Sequence, residues 1–391
     1  MTPPTARLPK AIWALGLTSL FMDASSELIH ALLPIYLTTT LGMSVILLGL
    51  LEGMSEAIAQ VSKVYSGWLS DRLGHRKWLT VAGYALAAAS KPIFPLAESV
   101  NWVFAARAMD RLGKGLRGAP RDALIADLTV PEQRGAAYGL RQALDSVGAV
   151  IGPIAAIVLV VALAADVQTA LWAATVPAVL AVVVLVFGVH EPAAAPMVAP
   201  RAVPLHWSDI RLLPRRFWGI AVLGAVFTLA RFSEGFLILR GSALGLSIGW
   251  APLVLIVMNG VYAASAYPAG RASDRLGSRG LLLLGMFTLL AADLCLAFAA
   301  SAAAVLGGAA LWGLHLGLTQ GLFSRLIADV APTAARGTAF GLYSLVSGVA
   351  LLAASSLAGL LWVRFGAATT FLAGAALAAI AMVGLALRGR A

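Results

Sequence analysis

Asp23, Glu27 and His30 stand at i, i+4 and i+7 in an otherwise apolar run, the spacing of a single helix face. Glu52, Glu56 and Lys63 repeat the pattern at i, i+4 and i+11, and Lys91 lies alone in the next run. Farther on, at about 100° per residue, Arg107, Asp110, Arg111, Lys114, Arg117 and Arg121 fall within an arc of about 120°. Arg141 and Asp145 share a face with Gly148 and Gly152. Carboxylates taken out of water favour their protonated form, which suits Asp23 and Glu27, like charges one turn apart, to carrying protons. With His30 they also have the ligand chemistry of a divalent transition metal. One helix face rarely completes a metal shell, however, and no His- or Cys-rich tail supports one, so no resident metal or other cofactor is expected. The basic arc points instead to an anionic or zwitterionic solute held by Arg111 and Lys114.

These charges need elements that hide them from lipid. The 391 residues are 60% hydrophobic and only 12% charged, with a mean hydropathy of +0.89, against roughly 45–50% apolar and about 25% charged for soluble domains. A soluble core cannot absorb that excess, so the solvent is lipid. The net charge of +10 sits in short clusters between apolar runs, which reads as membrane topology and argues against nucleic-acid binding. The lone Cys295 rules out a disulfide framework, and the run after the basic N-terminus reads as a retained span, not a signal peptide. Runs of about 20 apolar residues predict twelve helices, over 11–38, 44–70, 78–97, 101–127, 136–163, 168–189, 215–240, 248–272, 279–300, 302–329, 336–361 and 366–387. The division expected is a bundle over 1–189, a linker over 190–214 holding five prolines, and a second bundle over 215–391. Lys and Arg collect in alternate loops, and an even number of spans then places both termini in the cytoplasm.

The chain is also duplicated. Gly67-Trp68-Leu69-Ser70-Asp71-Arg72-Leu73-Gly74 returns as Gly270-Arg271-Ala272-Ser273-Asp274-Arg275-Leu276-Gly277, and 274 − 71 = 203. Ile125-Ala126-Asp127 with Arg134 returns as Ile327-Ala328-Asp329 with Arg336, and 329 − 127 = 202. Two echoes at almost one offset make a parallel six-plus-six repeat of an all-α membrane protein. The chemistry is nevertheless lopsided, because the second half offers only Arg231 with Glu234 at i, i+3, and scattered Asn259, Asp293, His315 and Gln320.

On these residues the chain resembles the twelve-helix transporters of the major facilitator superfamily, over nearly its whole length. The resemblance implies that Gly67, Asp71, Arg72, Gly74 and Arg76, with Asp274 and Arg275 of the second copy and with Arg336, latch the halves together on the cytoplasmic side. Arg72 or Arg76 would pair with Asp127. His75 and the Arg279-Gly280 pair depart from the family's loop, which weakens the second copy as an ionic latch. Gly139, Gly148, Gly152 and Pro153 resemble the helix-5 motif of proton-linked exporters, although its closing glycine pair is absent. Glycines on one face would let this helix seal against a neighbour in the other half.

Two readings of the buried charges compete. Across the first five spans, seven acids face eight bases, so structural pairing could neutralise nearly all of them. The expectation taken forward is a shared aqueous cavity lined by Asp23, Glu27, His30, Glu52, Glu56, Arg107, Asp110, Arg111, Lys114, Arg141 and Asp145. It describes a proton-coupled exporter of a drug-like compound or metal ion, monomeric, in a bacterial inner membrane. Proton-coupled uptake of an organic anion is the runner-up. An enzyme or receptor is disfavoured, because no His-Glu-x-x-His signature or large soluble domain occurs.

Overall fold

The computed structural model describes residues 8–73, 76–130, 134–190, 213–330 and 336–387, and among them helix is the regular structure throughout. The first half comprises α1 (Lys10–Ile35), α2 (Val45–Leu73), α3 (Arg76–Ser90), α4 (Val100–Asp127), α5 (Arg134–Ile157), α6 (Val167–Ala173) and α7 (Thr175–Gly188). π-helical turns over Tyr36–Thr40 and Val158–Ala162 extend α1 and α5. The second half comprises α8 (Arg215–Ala230), α9 (Gly235–Ala243), α10 (Leu253–Ala297), α11 (Ala302–Val330), α12 (Arg336–Phe365) and α13 (Ala367–Leu387). The turn between the last two is Gly366 alone, at φ +89°, a conformation that favours glycine.

Nine helices among the described residues are long and apolar enough to cross a membrane, and a shorter apolar one covers Leu253–Ala266. The third and fourth predicted spans fall short on composition and length: α4 is interrupted by its charged arc, and α3 has only 15 residues. The eighth and ninth predicted spans both lie inside α10, whose helical backbone is unbroken. Ser265 and Gly285 nevertheless both touch α11, at Gly317 and Thr319. Residues twenty apart on one straight helix lie about 30 Å apart, so α10 folds back and supplies two limbs.

The seventh predicted span is found as a candidate crossing, Arg215–Ala243, but its continuity requires correction. It is not one helix over 215–240 but α8 and α9, parted at Arg231–Glu234, where Arg231 adopts an extended backbone (φ −119°, ψ 102°). Non-helical backbone at membrane depth survives only where it is buried in protein or lines a cavity. Here the Ser233 amide donates to Ser355 Oγ (3.2 Å), and the Gly235 amide to Ser233 Oγ (3.2 Å). Without a continuous helix, the predicted i, i+3 pairing of Arg231 with Glu234 does not form.

The helix-5 expectation is corrected too. Gly148 and Gly152 pack on α1 of the same half: a side chain at Gly148 would meet the Leu20 carbonyl, and one at Gly152 the Ala24 carbonyl at 2.6 Å. The face of α5 turned to the other half is a different one, where Val147, Val150 and Ile151 share a crevice with Tyr262 and Ala263 of α10. The close seam between halves is instead α2 against α12. A Cβ at Gly49 would meet the Ser355 carbonyl, one at Gly53 the Leu352 backbone (2.7 Å), and one at Gly359 the Val45 carbonyl (2.6 Å).

The apolar cores are arranged unequally. One large core joins both halves, running from Leu28–Leu51 through Phe236 and Leu255 to Ala358 and Phe371. Two smaller ones are private: Ile12, Leu15, Tyr84, Leu124 and Leu185 in the first half, and Phe217, Ala221, Ile327 and Ala339 in the second. Both private cores lie at the end where α1, α3, α8 and α12 begin with Lys10, Arg76, Arg215 and Arg336. Among the described residues, then, the core shared by the halves lies away from the basic end, where each half has its own.

Candidate functional site

The charged faces of α1, α2 and α4 do turn inward, and the structure sorts their members into two sets. One set is paired. Lys91 Nζ bonds Asp110 Oδ1 at 2.7 Å and Ser26 Oγ at 2.9 Å, with Lys91 and Asp110 almost wholly buried. Arg107 Nη2 reaches both oxygens of Glu52, at 3.0 and 3.1 Å. Arg111 Nε lies 3.8 Å from Asp110 Oδ2. Arg121 donates to Asp122, Ser19 and the Tyr84 hydroxyl at 3.1–3.3 Å, while Arg117 sits over the Tyr84 ring at 4.7 Å. Buried pairs of this kind add little net stability, but removing one partner strands a charge.

His30 links this set to the cavity. Its Nδ1 lies 3.5 Å from Glu27 Oε2 and its Nε2 3.9 Å from Glu52 Oε2. Ser233 Oγ, from the α8–α9 break, donates to the same Glu52 oxygen at 3.3 Å. The run Glu27–His30–Glu52–Arg107 thus joins α1, α2 and α4 and ends on the second half. Asp23 does not belong to it: one turn before Glu27, it has Asp145 of α5 as its hydrogen-bond partner. Asp145 also lies 3.7 Å from Arg141 Nη1.

The second set faces open space. The side chains of Lys63, Lys114, Arg231 and Glu234 make no hydrogen bond or ion pair among the described residues. Two adjoining compartments of about 390 and 290 Å³ lie between the halves and a third of about 180 Å³ lies within the first half; Glu56, which among the described residues accepts from Gln60 Nε2 (2.8 Å), lines all three. Arg231 lines the two larger ones, Lys114 and Glu56 the second and third, and Asp23 and Asp145 the smallest. His30, Glu27, Glu52 and Arg111 border the middle one. Arg107 and Asp110 line none of the three and serve as struts.

Sequence reasoning missed Phe232, Ser233 and Ser355 at the middle compartment, and Phe227, Phe323 and Tyr343 at the largest. A signal was present for the first group: Arg231-Phe232-Ser233-Glu234-Gly235 places three polar residues and a glycine inside an apolar run.

Of the latch residues, Arg76 Nε lies 3.3 Å from Asp127 Oδ2, and both belong to the first half. Gly67 sits where a Cβ would touch Ala119 of α4 at 3.3 Å. Asp71 and Arg72 end α2, Asp274 and Arg275 lie within α10, and Arg336 begins α12, but their side chains, like the surroundings of Gly139, are outside the description; Gly74 lies outside the described residues altogether. A duplicated contact does emerge beside them. Lys77 Nζ donates to the Val186 carbonyl at 2.9 Å, and Arg279 Nη2 to the Ala386 carbonyl at 2.7 Å. The offsets agree, with 279 − 77 = 202 and 386 − 186 = 200. In each half a cation at the start of the third span caps the carbonyl end of the last helix.

Two helical halves closing on a polar cavity define an integral membrane transporter of the two-bundle type. The chain belongs to the Major Facilitator Superfamily, whose sequence pattern matches residues 15–261 and again 235–390. It is 30% identical over 379 residues to an uncharacterized MFS-type transporter of Methanocaldococcus jannaschii, covering 95% of this chain and 93% of that one. Over 125 residues it is 34% identical to the multidrug resistance protein MdtH of Yersinia enterocolitica, covering 32% of this chain and 31% of that protein. Among solved structures, the nucleoside transporter NupG superposes with a TM-score of 0.80 at 12% identity, over 96% of this chain and 99% of that one. The human organic anion transporter MFSD10 does so with a TM-score of 0.70 at 18% identity, over 96% and 99%. These likenesses establish the fold. The protein is a transporter of this superfamily and not an enzyme.

Proposed function

We propose that the chain is a proton-coupled secondary transporter that exports a small organic solute by alternating access of its two halves, 1–189 and 215–391, joined by the linker 190–214. The observation that carries this reading is the set of unpartnered charges from both halves, Lys63 and Lys114 against Arg231 and Glu234, around one shared cavity. Charges buried in a membrane protein for structure alone would be paired. Asp23 with Asp145, and Glu27 with His30, are the proton stations: each borders a compartment and can pass its proton to water there. Export draws support from the partial likeness to a multidrug resistance protein. The positive-inside rule places the basic end, and both termini, in the cytoplasm of a bacterial inner membrane, with the monomer as the working unit. Among the described residues the shared core lies away from that end, which supports a conformation open to the cytoplasm.

Everted membrane vesicles test the coupling. An imposed proton gradient should drive solute uptake into them, and Asp23→Asn or Glu27→Gln should reduce that uptake at least tenfold while leaving equilibrium exchange in place. Uptake insensitive to both substitutions refutes the assignment. The three unpartnered cations also suit the opposite direction, proton-linked uptake of an organic anion; cells that gain the solute when the gene is expressed would select it.

A further inference from the structure

We infer that the compartment of about 390 Å³ between α2, α8, α11 and α12 is the seat of a flat aromatic anion. This inference rests on the transport reading and names its substrate class. The volume falls within the range of small-molecule sites, about 300–1,000 Å³. Its wall on the second half is aromatic: Phe227 and Phe323 meet edge to face at 4.8 Å, and Phe323 stacks on Tyr343 at 6.0 Å with 20° between the planes. All three rings line the cavity. Rings so arranged continue their offset packing onto a planar guest better than onto a saturated one.

The charge comes from both halves. Lys63 of α2 and Arg231 at the helix break line the same compartment, and neither has a partner among the described residues. The remaining charged or titratable groups there are Glu56, whose carboxylate is engaged by Gln60, and His315, whose Nδ1 donates to the Gly285 carbonyl at 2.7 Å. Two free cations against one engaged carboxylate leave an excess of positive charge. The guanidinium of Arg231 offers a carboxylate the forked geometry that a Lys does not. Ser347, beside Tyr343, supplies a hydroxyl at the aromatic wall. Cations from both halves beside one wall of stacked rings give the seat a character that neither a simple anion nor a neutral ring satisfies alone.

Equilibrium binding to the purified full-length protein in detergent, by calorimetry at low salt, tests this with naphthoate, naphthamide and acetate. Naphthoate should bind, naphthamide (ring without charge) and acetate (charge without ring) at least tenfold more weakly. Arg231→Gln and Lys63→Gln should each weaken naphthoate about tenfold and leave naphthamide unchanged. Phe323→Leu should weaken both aromatic probes alike. Lys63 faces the open cavity, so its substitution keeps the test valid if the Arg231 variant fails to fold. Equal affinity for naphthoate and naphthamide, no naphthoate binding, or naphthoate binding indifferent to Lys63→Gln would overturn the inference. The measurement needs no membrane or gradient, so it can fail while proton coupling stands, and succeed while coupling fails.

Discussion

Lys91 and Asp110 show what a fully sealed pair is for. At 2.7 Å and almost without exposure, the pair has no access to the cavity and fastens α4 to the end of α3, with Ser26 bringing in α1. Lys91→Met alone should lower stability by about 3–5 kcal/mol through the stranded carboxylate, read as thermal unfolding in detergent. Lys91→Met with Asp110→Leu should restore most of it. Glu56 behaves otherwise, since it borders every compartment. Glu56→Gln should leave thermal unfolding within about 1 kcal/mol of wild type, as surface-like substitutions do, and should change transport. The charged faces were legible from spacing alone, because helical periodicity fixes which residues share a side. Which charges pair was not legible: Asp23 and Glu27 lie on one face, yet one turns to Asp145 and the other to His30, and that choice belongs to the neighbouring helices.

At the scale of elements, glycine decides where helices touch. The glycines of α5 predicted a close contact and made one, but with α1, and the contact between halves went to Gly49, Gly53 and Gly359, which no motif singled out. Spacing announces a smooth face; only tertiary packing names its partner. Gly53→Leu places its Cβ about where the Leu352 backbone lies (2.7 Å), so it should hinder closure of α2 on α12. The expected outcome is intact folding by circular dichroism with transport lost. Gly152→Val, against the Ala24 carbonyl and Leu28 amide within one bundle, should instead cost stability, by about 1–3 kcal/mol as overpacked sites do, seen in thermal unfolding. The break between α8 and α9 escaped the sequence reading because an apolar run 26 residues long outweighs three polar residues in any window average. The duplicated caps from Lys77 and Arg279 show the reverse: the departure of the second loop from its basic pair kept the one cation that meets Ala386.

For the molecule as a whole, six-plus-six architecture was legible from repeats and hydropathy, and the family comparison agrees with it. The conformation was not, because it depends on which end of the cavity the cores close. Tying the shared end tests the rocking motion: Ile46→Cys and Gly359→Cys face each other across the α2–α12 seam. In a Cys295→Ser background their disulfide should abolish transport reversibly, with activity regained on reduction. The unequal cores carry a thermodynamic corollary. Turning the protein over would uncover apolar surface from the joint core at about 25 cal/mol per Å², whereas the rims that must then meet carry Arg76 and Arg336. The empty molecule therefore has a resting preference, like a spring-loaded door. Whatever rides through it must hold the opposite posture more tightly by at least the energy of that spring, since a ligand indifferent to the two postures shifts neither.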